Sequence, residues 1–301
     1  MGEPHMTCFH PLTAFKTGSG DIIFHDRHKN ITEKLKLPCG QCVGCRLERS
    51  RQWAIRCMHE AQMHKDNCFI TLTYAPEHLP SDRSLHLDHF QKFMKRLRKK
   101  FGSGIRFYHC GEYGSTYGRP HYHACIFGFD FADKKLWKIV NNERLYTSLA
   151  LEKLWPYGFS TVGTVTFESA AYVARYILKK VNGDAAAKHY ERIDPNTGEV
   201  FRLKPEYTTM SRRPGIGSTW FDKYHSDVYP HDRVVVRSKC MRPPKFYDTR
   251  YEILDPEGFD SVKQNRQLNA LKHVDNNTPD RLEVRERVQK IALQRLPRNL
   301  D

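Results

Sequence analysis

The sequence predicts an α+β protein in which helices pack on an antiparallel sheet. Three observations carry that expectation. Short runs of strand formers alternate with amphipathic helical stretches through the middle of the chain; two of the strand runs are joined by a loop too short for a helical crossover; and the remaining links pass through helices. Cys68 to Tyr74 (CFITLTY) reads as the first strand and stops before Pro76. Leu87, Phe90, Phe93, Met94, Leu97 and Phe101 recur at helical spacing, and Gly102 ends that helix. Ile105 to Glu112 and His121 to Phe129 read as strands flanking a Gly-Ser-Thr-Tyr-Gly-Arg-Pro hairpin loop. A helix is expected over 143–154, closed by Pro156 and Gly158, then a strand over 159–166 and a helix over 168–181.

Flanking this core, 67–235, the sequence divides off an N-terminal segment, 1–66, with a cysteine cluster and a lead-in helix from Glu48 to His64. A basic C-terminal extension, 236–301, follows the core. Its residues 259–296 read as one charged helix, after a Pro-, Arg- and Tyr-rich stretch holding a short strand at Val234 to Val236.

Lys and Arg outnumber Asp and Glu by 49 to 34, a formal charge of +15, which favours a polyanionic partner because neutralised phosphates release counterions. Lys92, Lys95, Arg96, Arg98, Lys99 and Lys100 share one helix, and Arg175, Lys179 and Lys180 another. No apolar run reaches the ~18 residues of a membrane span. The first twenty residues lack a signal-peptide pattern, so the chain is expected to stay in the compartment where it is made. Nine cysteines without a secretion signal argue for metal ligands or buried thiols rather than disulfides.

In a strand, His121 and His123 point to one face, with Tyr122 opposite. If the hairpin turns over 113–120, Glu112 faces His121 across its base, and a carboxylate joins two imidazoles. Mixed N/O donors with open positions suit Mn²⁺ or Mg²⁺ as a Lewis acid and leave Zn²⁺ open. The alternative is a pair of exposed strand histidines. His109 is read as structural.

On a wheel of about 100° per residue, Tyr172 and Tyr176 fall roughly 40° apart, with Lys179 beside them. Ala170, Val173, Ala174, Ile177, Leu178 and Val181 spread around the other side. Both phenols are therefore expected on the polar face, away from the core. A phenol of pKa about 10 attacks phosphorus only when its phenolate is stabilised or its target polarised, and a bound cation with Lys179 supplies both. Exposed tyrosines for base stacking are the alternative use.

Phe69-Ile-Thr-Leu-Thr-Tyr74, Arg119-Pro-His-Tyr-His123 with Glu112 upstream, and Tyr172-x-x-x-Tyr176-x-x-Lys179 stand in the order of the HUH endonucleases of rolling-circle replication, which the chain resembles. Pro38-Cys-Gly-Gln-Cys-Val-Gly-Cys45 and Arg212-Arg-Pro-Gly-Ile-Gly217 look like the initiators of gokushovirus-type microviruses, small circular ssDNA phages. The resemblance implies a five-stranded antiparallel RRM- or ferredoxin-like sheet, cation-dependent nicking and rejoining of one strand at a replication origin, and single-stranded DNA as partner. It assigns the cation to Glu112, His121 and His123, the nucleophile roles to Tyr172 and Tyr176, and a supporting charge to Lys179. It also implies host helicase and polymerase as partners and the bacterial cytoplasm as location.

Cys39-x-x-Cys42-x-x-Cys45 can place three thiolates on a structural Zn²⁺, with Cys8 the most economical fourth ligand and Cys57 an alternative; buried reduced thiols are the other reading. Cys68, Cys110, Cys125 and Cys240 are read as core or near-core. Two rivals to tyrosine chemistry stay open: a non-catalytic RRM-type ssDNA- or RNA-binding module, and a metal nuclease in which water attacks.

Overall fold

The computed structural model describes residues 8–27, 30–114, 118–140, 142–175, 185–193 and 198–294. The chain forms two compact units: one is Ser50–Asp227, and the other combines the chain up to Arg49 with the chain from Val228 onward.

The strands β1 (Leu12–Thr17), β2 (Ile22–Ile23) and β3 (Ile31–Leu37) form a small antiparallel sheet in the order β2-β1-β3. They precede the long helix α1 (Val43–Gln62), within which the division between the units falls. Helix α1 starts five residues before the Glu48 expected from the sequence.

The Ser50–Asp227 unit is α+β, as expected. Its elements run β4 (Asn67–Thr73), α2 (Leu87–Phe101), β5 (Arg106–Tyr113), β6 (Pro120–Phe127), β7 (Lys135–Val140), β8 (Glu143–Thr147), α3 (Leu149–Leu154), β9 (Ser160–Gly163) and α4 (Phe167–Arg175). Then come α5 (Ala185–Tyr190), β10 (Glu191–Ile193), β11 (Val200–Arg202), β12 (Tyr207–Met210) and α6 (Ser218–Val228). The main sheet is antiparallel and has seven strands, in the order β12-β5-β6-β4-β9-β8-β7, instead of the expected five.

Both edges grow from segments that sequence periodicity misread or passed over. The helix expected over 143–154 is a strand followed by a shorter helix. Arg144, Leu145, Tyr146 and Thr147 of β8 pair with Ile139, Lys138, Leu136 and Lys135 of β7. Only at Ser148 does a cap appear, its Oγ accepting from Leu151 N at 3.1 Å, and α3 starts there. On the other edge, β12 pairs along β5, Thr209 opposite His109.

Alternation along the central strands divides the core. Ile70, Leu72, Tyr122, Ala124 and Ile126 face α2 and α3, meeting Phe90, Phe93, Met94, Leu97, Leu151 and Trp155. Phe69, Tyr108, Cys110, Cys125 and Phe127 face the other way, meeting Ala54 and Cys57 of α1 and Ala170, Val173 and Ala174 of α4. Of the stripe that predicts α2, Phe90, Phe93, Met94 and Leu97 are buried while Phe101 stays exposed, and Gly102, at φ +116°, closes the helix with Arg98, Lys99 and Lys100 in the last turn. His109 belongs to the α2 face: it is fully buried, stacks on Phe90 at 3.4 Å and bonds Thr209 Oγ1 through Nδ1 at 2.9 Å. Burial holds its imidazole well below the usual histidine range.

In the other unit, β13 (Val234–Val236) and β14 (Lys239–Met241) pair as a hairpin, and α7 (Lys245–Leu254), α8 (Pro256–Leu271) and α9 (Pro279–Gln294) follow. The single helix read over 259–296 is thus two, restarted by Pro279 at the first position of α9. Arg266 joins Asp232 and Asp248, and Asp248 also accepts from Tyr229 at 2.7 Å. Cys240 lies exposed on β14, against its near-core reading, because a two-stranded hairpin has only one face to cover. No helix among the described residues is long and apolar enough to cross a membrane.

Candidate active site

The β5–β6 hairpin aligns Glu112 with His121 and Cys110 with His123, so the carboxylate and both imidazoles share one face of the sheet. That face is the one covered by α1 and α4. Glu112 and His123 are 1% and 0% exposed, and a buried carboxylate persists only with a partner. His123 Nε2 lies 2.9 Å from Glu112 Oε1. On the other side of the ring, Nδ1 sits 3.0 Å from the hydroxyl of Thr71, its register partner on β4. Phe69 stacks on the same imidazole at 5.9 Å.

His121 is oriented differently. Its Nδ1–H donates to the Arg119 carbonyl at 2.7 Å, which leaves the lone pair on Nε2. Its ring runs nearly parallel to that of His123, the centroids 6.5 Å apart. Gly114 is packed so close that an added Cβ would stand 2.8 Å from His121 Cε1. The loop glycine therefore helps to set the ring, a constraint that sequence reading saw only as turn chemistry.

Tyr172 is brought to this pair by α4. Thr166 and Ser169 cap the helix reciprocally, Ser169 N donating to Thr166 Oγ1 at 3.1 Å and Thr166 N to Ser169 Oγ at 2.8 Å. Ser50 Oγ on α1 donates to the Ala171 carbonyl at 3.0 Å. The phenol ring stands edge-on to His123, centroids 5.1 Å apart and planes at 89°, with its hydroxyl 3.5 Å from Glu112 Oε1. Tyr172 is only 8% exposed, which corrects the expectation that its phenol projects away from the core. A helical wheel ranks faces by hydropathy, but the sheet under α4 is itself polar at Glu112 and His123, so a polar side chain buries there. Tyr176 and Lys179 lie outside the described residues.

Tyr122, between the histidines, faces the opposite layer. It bonds Tyr74 Oη at 2.9 Å, and burial pushes its phenol up to about 12. It takes no part in this site.

Among the described residues, two groups of His, Cys, Asp or Glu hold all their donor atoms within 4.8 Å: Cys8, Cys39, Cys42 and Cys45, and His86, Asp88 and His89. Glu112, His121 and His123 are not drawn that close together; the tight contact is the Glu112–His123 pair. The donor chemistry nonetheless fits a divalent cation. His121 is in the tautomer a ligand needs, and the Thr71 hydroxyl, able to donate or accept, lets His123 turn its lone pair to Nε2. Thr71 was contained in the first sequence motif without a role; its position directly opposite His123 was the signal.

Of the two candidate fourth cysteines, Cys8 joins the cluster, whereas Cys57 is buried in the apolar layer with Cys125. Cys68, Cys110 and Cys125 are buried, as expected.

Against known proteins, the sequence model described as replication-associated protein ORF2/G2P matches residues 67–181. The chain is 36% identical over 266 residues to replication-associated protein VP4 of Bdellovibrio phage phiMH2K, covering 84% of this chain and 79% of that protein. It is 33% identical over 291 residues to replication-associated protein ORF2 of Spiroplasma virus 4, covering 87% and 86%. To replication-associated protein ORF4 of Chlamydia phage 1 it is 36% identical over 161 residues, 48% and 38%. No solved structure matches the chain.

Proposed function

The chain belongs to the family of phage replication-associated proteins, and we propose that it initiates rolling-circle replication by nicking and rejoining single-stranded DNA at an origin through a 5′-phosphotyrosine. The observation that carries this reading is the placement of Tyr172 Oη 3.5 Å from Glu112 Oε1, the same oxygen that meets His123. A candidate nucleophile is thus built beside two buried candidate cation ligands, Glu112 and His123, with His121 half-buried at the edge, the arrangement expected of an HUH endonuclease.

Glu112, His121 and His123 would hold Mn²⁺ or Mg²⁺, which supplies Lewis-acid polarisation of the scissile phosphate when bound. Thr71 and the Arg119 carbonyl orient the two imidazoles from behind. Tyr172 is oriented by its edge-on ring contact with His123, which keeps its oxygen beside the candidate cation ligands. The phenol oxygen bonds to phosphorus, the bond from phosphorus to the 3′ oxygen breaks, and that oxygen leaves as a 3′-hydroxyl. One phosphodiester replaces another, so the reverse step rejoins the strand. Tyr176, four residues further along the sequence, takes the second transfer, and Lys179 steadies the developing charge. Host helicase and polymerase act on the released 3′ end.

The burial of Tyr172 weighs against base stacking at that residue, because a ring 8% exposed offers little face to a base. The test is a denaturing gel of the protein with an origin-containing ssDNA oligonucleotide and Mn²⁺. A protein–DNA adduct that survives SDS is expected. Cleavage without an adduct, unchanged in the Tyr172→Phe/Tyr176→Phe variant, assigns the attack to water and ends this proposal.

A further inference from the structure

The small sheet β2-β1-β3 has little to hold it together. Of its strand residues only Ala14 and Thr17 are buried, while Leu12 and Ile22 are 45% and 44% exposed. A patch this thin does not bury enough apolar surface to offset the entropy of ordering it. Something at its base must add to it, and four cysteines stand there.

Cys8 precedes β1, Cys39 follows β3 just beyond the Leu12–Leu37 pair, Cys42 immediately precedes α1, and Cys45 lies in the first turn of α1. All four are reduced, and their sulfurs lie within 4.8 Å of one another. The Cys42–Cys8 sulfur separation is 3.9 Å. A disulfide needs about 2.05 Å, whereas two thiolates on a tetrahedral Zn²⁺ with bonds of about 2.3 Å stand roughly 3.8 Å apart.

The backbone is arranged to match. The N–H groups of Gln41 and Cys42 point at Cys39 Sγ at 3.5 and 3.3 Å, and Cys45 N points at Cys42 Sγ at 3.5 Å. Phe9 N and Cys39 N do the same for Cys42 Sγ and Cys8 Sγ, at 3.3 and 3.2 Å. Amide donors converging on sulfur stabilise thiolate, and neutral thiols have no need of five of them. Gly40, at φ +74°, makes the tight turn between Cys39 and Cys42, and Arg49 braces it by donating to the Gly40 carbonyl at 3.3 Å.

We propose that Cys8, Cys39, Cys42 and Cys45 bind one Zn²⁺ in a closed tetrahedral site that ties both ends of the β1–β3 sheet to the start of α1. Four thiols lose four protons on metallation, and with no position left open the ion is structural. The site is independent of the DNA-nicking reading: it uses none of the same residues.

Full-length protein, purified under reducing conditions without chelator, is analysed for zinc by mass spectrometry and then reconstituted with Co²⁺ as a spectroscopic probe. One zinc per chain is expected, with the sulfur-to-cobalt charge-transfer band and intense visible bands of a tetrahedral thiolate site. The Cys39→Ser/Cys42→Ser variant should lose the zinc, while Glu112→Ala/His123→Ala should keep it. The wild-type cobalt spectrum decides the question even if the cysteine variant does not fold. Absence of the charge-transfer band, zinc retained in full by a folded cysteine variant, or a metal-free chain lighter by the hydrogens that disulfides lose would each overturn the proposal.

Discussion

Two clusters of metal-ligand chemistry in this chain are built on opposite plans. Glu112, His121 and His123 sit on adjacent strands of a seven-stranded sheet, each held by contacts that owe nothing to an ion. The four cysteines come from the margins of a three-stranded sheet that buries almost nothing, and from the first turn of a helix. In the first case the scaffold sets the donors before any ligand arrives, and the donors stand apart. In the second, the donors already crowd within 4.8 Å of one another, and under the zinc proposal the local fold depends on the ion they hold. The contrast matches the difference between a site meant to exchange its ligands and one meant to keep them.

The comparison can be broken most decisively at the nucleophile. The Tyr172→Phe/Tyr176→Phe variant should lose covalent adduct by about 10³-fold or more while its thermal midpoint stays close to wild type. A denaturing gel beside a melting curve reads both, and a collapsed fold would show that Tyr172 is there for packing.

Next in size, Glu112→Gln and His123→Ala should separate activity from stability. Gln keeps an oxygen that accepts from His123 but loses the charge a cation needs, so cation-dependent cleavage should fall by about 10²-fold or more with a small change in midpoint. His123→Ala removes one hydrogen-bond partner of the 1%-exposed Glu112 carboxylate and should cost roughly 1–3 kcal/mol in urea unfolding as well as activity. Equal stability losses in the two variants would mean that the pair is mainly structural.

Two buried histidines of the Ser50–Asp227 unit, His59 on α1 and His109 on β5, give the fold a pH signature of its own. Burial lowers the His59 imidazole to about 3 and that of His109 well below 6.5. In each case the folded value lies below the unfolded one. Their contribution is therefore complete above about pH 6.5 and is lost as pH falls, by roughly 1.4 kcal/mol per unit for each group. Thermal midpoints from pH 7 to 4 should fall accordingly, and His59→Phe should flatten the slope; an unchanged slope would remove His59 from the account.

The smallest effect belongs to Gly114→Ala. The added methyl meets the His121 ring at 2.8 Å, so cleavage should drop several-fold and require more Mn²⁺, with stability nearly unchanged. Titration of cleavage against Mn²⁺ checks it, and a wild-type curve would show that the ring simply moves aside.

Much of this was legible in the chain. The α2 stripe carried its own boundaries because spacing, a glycine stop and basic residues in the last turn agree. The alignment of Glu112 with His121 followed from the length of the hairpin loop. The region 143–154 misled because Glu, Arg and Leu favour a helix in isolation, and pairing with β7 overrode that preference. Tyr172 misled for a different reason: its helix presents a polar face, and only the sheet decides whether that face meets water or Glu112.

By itself, then, the sequence determined which residues have metal-ligand and nucleophile chemistry, and which of them share a strand face or a helix turn, since both follow from local backbone periods. Tertiary structure alone decided that Thr71 stands behind His123, that Tyr172 is buried beside Glu112, and that Cys8 rather than Cys57 completes the cysteine cluster. These are contacts across 31 to 60 residues of chain, and no local period encodes which distant segments will meet.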